Sequence, residues 1–349
     1  FLSRQYTRCT TYHYSPTGGG LLTPYGRSLS GHEISTWAAP ADPQQQGPGK
    51  EESFLWGALG NRLGSVSVGI DTRPAYLAFD VGGATSHMSM LMTADLLAAW
   101  RAAGWTVYGE VGRQPVTPSK IDSYEYWVGH ESEKGYGFRV GRFLPAYGLR
   151  LADHTALTRA GLGFDAYDQV YGLELSRTSD RHLLQLSVGP GRADSVLHDD
   201  GRQSFTATGR FQMDFGSRTT LAVSGLYRDA SRLVPQNGAA GLAFGIAPTS
   251  HLTVWTEADA QVEQGASGPP GYVLLNETAF EVHRGVWLKV SPQLRTLPGD
   301  ASGGVFRMLF EANLFPRTHW NVDVSYYRDE SRTTRLVGKT FLAQLHLYL

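Results

Sequence analysis

The sequence predicts an all-β fold: a transmembrane outer-membrane β-barrel of about sixteen antiparallel strands, with an irregular N-terminal plug segment. Three observations predict it. The first is strict alternation over about ten residues, the length a tilted strand needs to cross a bilayer. From Ser204 to Phe215, Phe205, Ala207, Gly209, Phe211, Met213 and Phe215 share one face. Ser204, Thr206, Thr208, Arg210, Gln212 and Asp214 share the other, because successive strand side chains point to opposite sides. The second is that mean hydropathy is −0.26 over 349 residues, and no run approaches the ~20 apolar residues of a membrane helix. The third is composition: 41 glycines suit many turns, and 17 Tyr, 15 Phe and 8 Trp suit interfacial girdles.

Alternating stretches fall at 63–72, 75–83, 86–99, 104–112, 122–132, 136–143, 166–177, 181–190, 203–215, 218–229, 238–247, 250–263, 271–283, 285–296, 304–315, 318–329 and 336–349. Single-chain barrels carry an even number of strands, so one early stretch is surplus and sixteen are expected. The later strands read most clearly. Leu252, Val254, Thr256, Ala258, Ala260 and Val262 oppose Thr253, Glu257, Asp259, Gln261 and Glu263. Asp214–Arg218 and Ala247–His251 read as tight turns between hairpin strands. A soluble sandwich also alternates, but recurrence of the greasy face through one hairpin after another favours a barrel. Met88–Trp105 has the composition of a helix, and its context argues for a strand. Leu144–Phe164 is too long for a hairpin turn and reads as an external loop or an inward constriction. At the end, Phe341, Ala343, Leu345, Leu347 and Leu349 alternate with Leu342, Gln344, His346 and Tyr348. That resembles the closing strand of outer-membrane barrels, with Leu where an aromatic is more usual.

Residues 1–50 differ from everything after them. They are rich in Gly, Pro, Ser and Thr, lack a period of two, and end in a linker composition at 41–50. The expected division is therefore a plug segment and linker at 1–50 and a barrel at 51–349. The plug contains Cys9-Thr10-Thr11-Tyr12-His13, followed by a glycine-rich stretch to Gly26. A c-type haem site is Cys-x-x-Cys-His, in which two thiols bond the porphyrin and the His ligates iron. Here Tyr12 stands in the second cysteine's place. The layout resembles fused cytochrome–porins, which carry an N-terminal monohaem segment inside a large barrel. The resemblance covers residues 9–27 and, as architecture only, the barrel. It implies transmembrane electron transfer, haem c held by a single thioether at Cys9, and His13 as the metal ligand. His32 is the nearest downstream candidate for a second axial ligand. Periplasmic or extracellular c-type cytochromes are the partners it implies. A decayed haem box that now only plugs the pore is an equal reading, which makes the barrel a solute-diffusion porin or the scaffold of a larger complex.

A second constellation is arginine-rich: Arg139, Arg142, Arg150 and Arg159, with Asp153 and His154. Beside an inward loop it makes an anion-attracting pore constriction, since rings of Arg set selectivity. The structural alternative pairs these arginines with lumenal carboxylates such as Glu110, Glu125 and Glu174. The late-strand carboxylates Glu257, Asp259, Glu263, Glu277, Glu281, Glu311 and Asp323 either attract cations or balance those arginines. A net charge of −1 gives no reason to expect nucleic acid as a partner; lipid is the expected one. The sequence has no zinc-ligand pair, nucleophile elbow or phosphate loop. Electron transfer or transport is therefore expected rather than hydrolysis.

Overall fold

The computed structural model describes residues 2–4, 8–37, 64–113, 121–151, 153–165, 168–190, 205–230 and 235–348. The opening residue of the Ser204–Phe215 pattern, the final Leu349 and the proposed boundary at 50/51 lie outside them. Seventeen strands form one sheet. They are β1 (Val66–Val81), β2 (Ala84–Ala102), β3 (Trp105–Arg113), β4 (Ile121–Asp122), β5 (Tyr126–Glu131) and β6 (Tyr136–Phe143). Next come β7 (Val170–Thr178), β8 (His182–Pro190), β9 (Phe205–Asp214), β10 (Thr219–Arg228), β11 (Asn237–Ile246) and β12 (Leu252–Glu263). The series ends with β13 (Gly271–His283), β14 (Val286–Leu297), β15 (Asp300–Leu314), β16 (Trp320–Ser331) and β17 (Val337–Tyr348).

Every pairing is antiparallel, and β1 pairs with both β2 and β17, which closes the barrel. The short β4 and β5 both pair with β3, so they are two pieces of one stave and the wall has sixteen. The surplus stretch is the division at 72/75. Residues 66–81 are a single strand, and the register shifts between Arg73 and Pro74. Proline lacks the N–H that a ladder needs, and a bulge accommodates it without ending the strand. Met88–Trp105 is strand through Ala102.

The two faces sort as the alternation requires. On β9, Phe211 is 40% exposed while Thr206, Thr208, Gln212 and Asp214 are buried. On β8, Leu184, Leu186 and Val188 face outward while Gln185 and Ser187 are buried. Exposed apolar side chains on a closed wall match a lipid surface, where every backbone group is satisfied within the sheet.

The two ends differ. On one end, which also receives both chain ends of the sheet, all strand connections are two to five residues long. On the other, β6–β7 are joined by residues 144–169 and β8–β9 by residues 191–204. Short turns on one side and longer loops on the other are the periplasmic and extracellular ends of such barrels.

The Leu186→Arg variant places a charge mid-strand on the lipid face. It is expected to cost about 2–4 kcal/mol of folding free energy, measured as a lowered urea midpoint for folding into lipid vesicles.

Candidate functional site

Two segments fill the lumen, and each is held by polar wall residues. The first is the N-terminal plug. A 3₁₀ turn at Cys9–Thr11 leads into a tight hairpin in which His13 bridges Leu22, Tyr14 N–H donates to Leu21 O, and Thr23 N–H donates to Tyr12 O. Thr23 then caps α1 (Pro24–Leu29), accepting from Gly26 N–H with Pro24 at the first helical position. Gly18, Gly19 and Gly20 all have positive φ. A side chain at Gly20 would collide with the Tyr108 hydroxyl, so the backbone approaches the wall where only glycine fits.

The plug is pinned around the barrel. Arg4 pairs with Glu281 of β13 at 2.8 Å and Arg8 with Asp214 of β9 at 3.3 Å. Ser15 donates to Glu125 at 2.8 Å, the Arg27 guanidinium donates to Val68 O, and the Tyr14 hydroxyl meets Ser67 at 2.7 Å. At the short-turn end, Thr36 and Trp37 donate backbone N–H groups to Phe315 O and Pro316 O. Tyr14 and Leu21 pack with Leu97, Tyr108, Trp127 and Phe143 in one apolar cluster.

The second segment is the connection 144–169, which folds inward. It contains α2 (Leu157–Ala160) and docks on the opposite inner wall. Leu144, Tyr147, Leu157, Leu162 and Phe164 pack on Leu226, Ala239 and Val273, while Leu149 and Ala156 pack on Ala222, Ala243 and Leu275. These wall residues sit on the lumen face, where sequence alternation predicts polar side chains. Polar anchors flank the apolar patch. The Tyr147 hydroxyl donates to Asp259 at 2.8 Å, Leu149 N–H donates to the Glu257 carboxylate at 3.2 Å, and Leu157 N–H donates to Gln293 at 2.8 Å. Burial beside Asp259 drives the Tyr147 phenol well above its ordinary range. Gly148, at φ +49°, lies so close to Glu257 that a side chain would collide with the carboxylate.

The sequence-predicted arginines divide by role. Arg139 is 2% exposed and pairs with Glu174 at 3.0 Å, its guanidinium lying 4.1 Å from the Phe143 ring. Arg142 pairs with Asp122 at 3.3 Å. Both follow the structural alternative. Arg159 holds the loop's own shape by donating to Phe164 O at 3.2 Å and to Leu151 O. His154 meets Asp165 at 2.9 Å, and Asp153 caps Thr155 N–H at 2.8 Å. Arg150 is different: among the described residues it has no hydrogen bond or ion pair, and its Nη1 is buried without a partner.

Arg150 joins the two motifs. Its guanidinium lies within electrostatic reach of both Cys9 and His13 of the plug. Burial, and then the like charges of Arg159 and Arg139, push the Arg150 guanidinium down to about 9. Burial pushes the His13 imidazole down to about 4, Arg150 adds to the fall, and the Gly20 and Gly19 carbonyls partly oppose it. The His13 Nδ1 is buried without a hydrogen-bond partner. His32 lies elsewhere on the plug, beside the β13–β14 turn, where its carbonyl accepts from Arg284. Among the described residues, no three His, Cys, Asp or Glu side chains converge as a metal cluster. Tyr12 is 2% exposed and stacks on Tyr25 with centroids 6.2 Å apart.

No family model and no curated protein matches the chain. Solved structures do. OprB of Pseudomonas putida, at high pH, aligns with TM-score 0.64 and 7% identity, covering 91% of this chain and 99% of its own. Salmonella typhi OmpF in complex with daunomycin aligns with TM-score 0.63 and 8% identity, covering 81% and 97%. An anion-selective porin from Comamonas acidovorans aligns with TM-score 0.58 and 10% identity, covering 82% and 99%. The fold is that of an outer-membrane porin.

Because the docked His13 holds a proton only below about 4 whereas a released imidazole takes one near 6.5, the released plug binds more protons between those values. The plug's docking free energy is thus intact above about pH 6.5 and falls as pH drops toward about 4. Hydrogen–deuterium exchange across residues 8–30, corrected for intrinsic rates, should quicken over that window. In the His13→Asn variant this component of the pH dependence should vanish.

Proposed function

We propose that the chain is a porin-like channel of the bacterial outer membrane, a solute-diffusion pore kept narrow by its own plug and inward loop. The observation that carries this reading is the division of the lumen. The plug is anchored on β1, β3, β9, β13 and β17, on Glu125 just before β5 and on Trp127 within it, and the loop on the apolar patch of β10–β13. On this reading the conducting path runs between the two, past the buried charged and polar side chains of the inner wall. A lumen divided in this way discriminates by size and charge, which are the two levers of a diffusion pore.

Vesicle swelling with neutral sugars of graded size tests it. Reconstituted barrels should admit only the smallest sugars. The Gly148→Ala variant, which forces the loop off Glu257, should raise the size limit. Exclusion of every sugar by both proteins would contradict a diffusion pore.

The second reading is electron transfer through a haem held by Cys9 and His13. The unpartnered His13 Nδ1 favours it, because an available imidazole nitrogen suits an iron ligand. Tyr12 limits it to one thioether. When bound, the haem would supply the one-electron chemistry, Cys9 the covalent link and His13 the axial nitrogen. A Soret band that survives acid–acetone extraction from exported protein, and is lost in Cys9→Ala, is the result this reading requires. Correctly exported protein without that band would exclude it.

A further inference from the structure

We infer that the outer face of β16, β17, β1 and β2 binds one phosphorylated lipid, its phosphate between Arg328 and Lys339 and an acyl chain in the groove beside Pro74. The head of the site follows from register. Arg328 on β16 lies directly opposite Lys339 on β17, and both are exposed on the outward face. They stand one outward step beyond the exposed aromatic pair Tyr326 and Phe341, toward the extracellular end. Aromatic rows mark the headgroup level of a bilayer, so the two cations sit where lipid phosphates lie. Like charges directly opposite each other destabilise a sheet, and the neighbouring carboxylates relieve this only in part. Glu330 reaches Arg328 at 3.6 Å in a pair whose side chains are 35% and 48% exposed, an arrangement that contributes little. Asp80 is the register partner of Lys339 on β1, but it accepts from Gly83 N–H and the Thr85 hydroxyl and makes no ion pair with Lys339. Arg335, in the turn joining β16 to β17, adds a third cation.

The tail of the site follows from the bulge. The register of β1 shifts at Pro74, and the small residues Ser89 and Ala343 lie on either side of Tyr76. An open groove of about 640 Å³ results, lined by Pro74, Tyr76, Leu91, Val322, Ala343 and Leu345. Pro74 and Tyr76 are exposed and alternate with the buried Ala75, so the groove opens toward lipid. Lys339, Ala343 and Leu345 share the outward face of β17. At about 3.3 Å per residue the groove therefore lies about 13 to 20 Å along the strand from the cations. Half of the hydrocarbon core is about 15 Å deep, which is the depth an acyl chain occupies. A cation pair at phosphate level and an apolar groove one chain length away, on one lipid-facing surface, match a lipid with an anionic phosphate. A free phosphate ion leaves the groove empty, and a neutral lipid leaves the cation pair unanswered. The site depends on the placement of the wall in the outer membrane and not on the channel reading.

Native mass spectrometry of the full-length barrel in detergent tests it, with dioleoyl phosphatidic acid and dioleoylglycerol as the probes. The two carry the same chains and differ by the phosphate. Phosphatidic acid should bind about tenfold or more tightly, the scale of two cations acting on one anionic headgroup. Arg328→Gln with Lys339→Gln should bring it down to the level of dioleoylglycerol. Ala343→Phe fills the groove from the lipid side and leaves both cations in place, and it should weaken phosphatidic acid by about threefold or more. Ser89→Phe fills the same groove from β2 and takes its place should Ala343→Phe not fold. Arg177→Gln removes a cation at the short-turn end, where it lies over the Tyr136 ring, and should leave binding unchanged. Equal binding of the two lipids by the wild type overturns the site. So does binding that is indifferent to the filled groove, or that Arg177→Gln lowers as much as the paired substitution does. Vesicle swelling of the same proteins reads the channel proposal separately.

Discussion

The structure depends on one constraint: a strand in a closed barrel has only two faces, and polar groups on the inner one need partners. Outside, lipid accepts Phe, Leu and Val. Inside, the wall carries Asp214, Glu257, Asp259 and Glu281, whose buried carboxylates accept from Arg8, from the Leu149 amide, from Tyr147 and from Arg4. The plug and loop are thus partners of the inner wall as well as occupants of its space. Removing either takes those donors away, and water or a counter-ion must then take their place.

That constraint also explains why the wall was legible in the sequence. Period-two alternation is a local signal, and it located fifteen of the sixteen staves within a few residues. The exception was β1. Pro74 reads as a boundary because it removes a ladder donor, whereas its neighbours on both sides stay paired across a bulge. The sequence alone leaves 144–169 open between an external loop and an inward constriction. A signal for it was present in Val273-Leu274-Leu275, where apolar residues occupy both faces of β13. The inner members of that run are where the loop docks.

The candidate site was legible only in halves. Cys9-x-x-x-His13 and the arginine-rich stretch each stood out as motifs, but nothing local relates positions about 140 residues apart. Only the closed sheet brings Arg150 to the plug. Nor did residue type separate the arginines. Arg139 and Arg142 found carboxylates across the wall, and Arg159 found loop carbonyls. Arg150 points to the plug and takes no partner among the described residues. Arg210, visible from the start as one polar residue of an alternating strand, donates to the carbonyl of Gly148, which lies 62 positions away.

The central claim is that the lumen is divided between plug and loop, and single-channel conductance in planar bilayers tests it most directly. Barrels lacking residues 2–37 should refold with the same wall and conduct several-fold better than the full chain, since the pore then loses the plug and keeps the loop. Equal conductance with and without those residues, in barrels shown to be folded, would contradict the account.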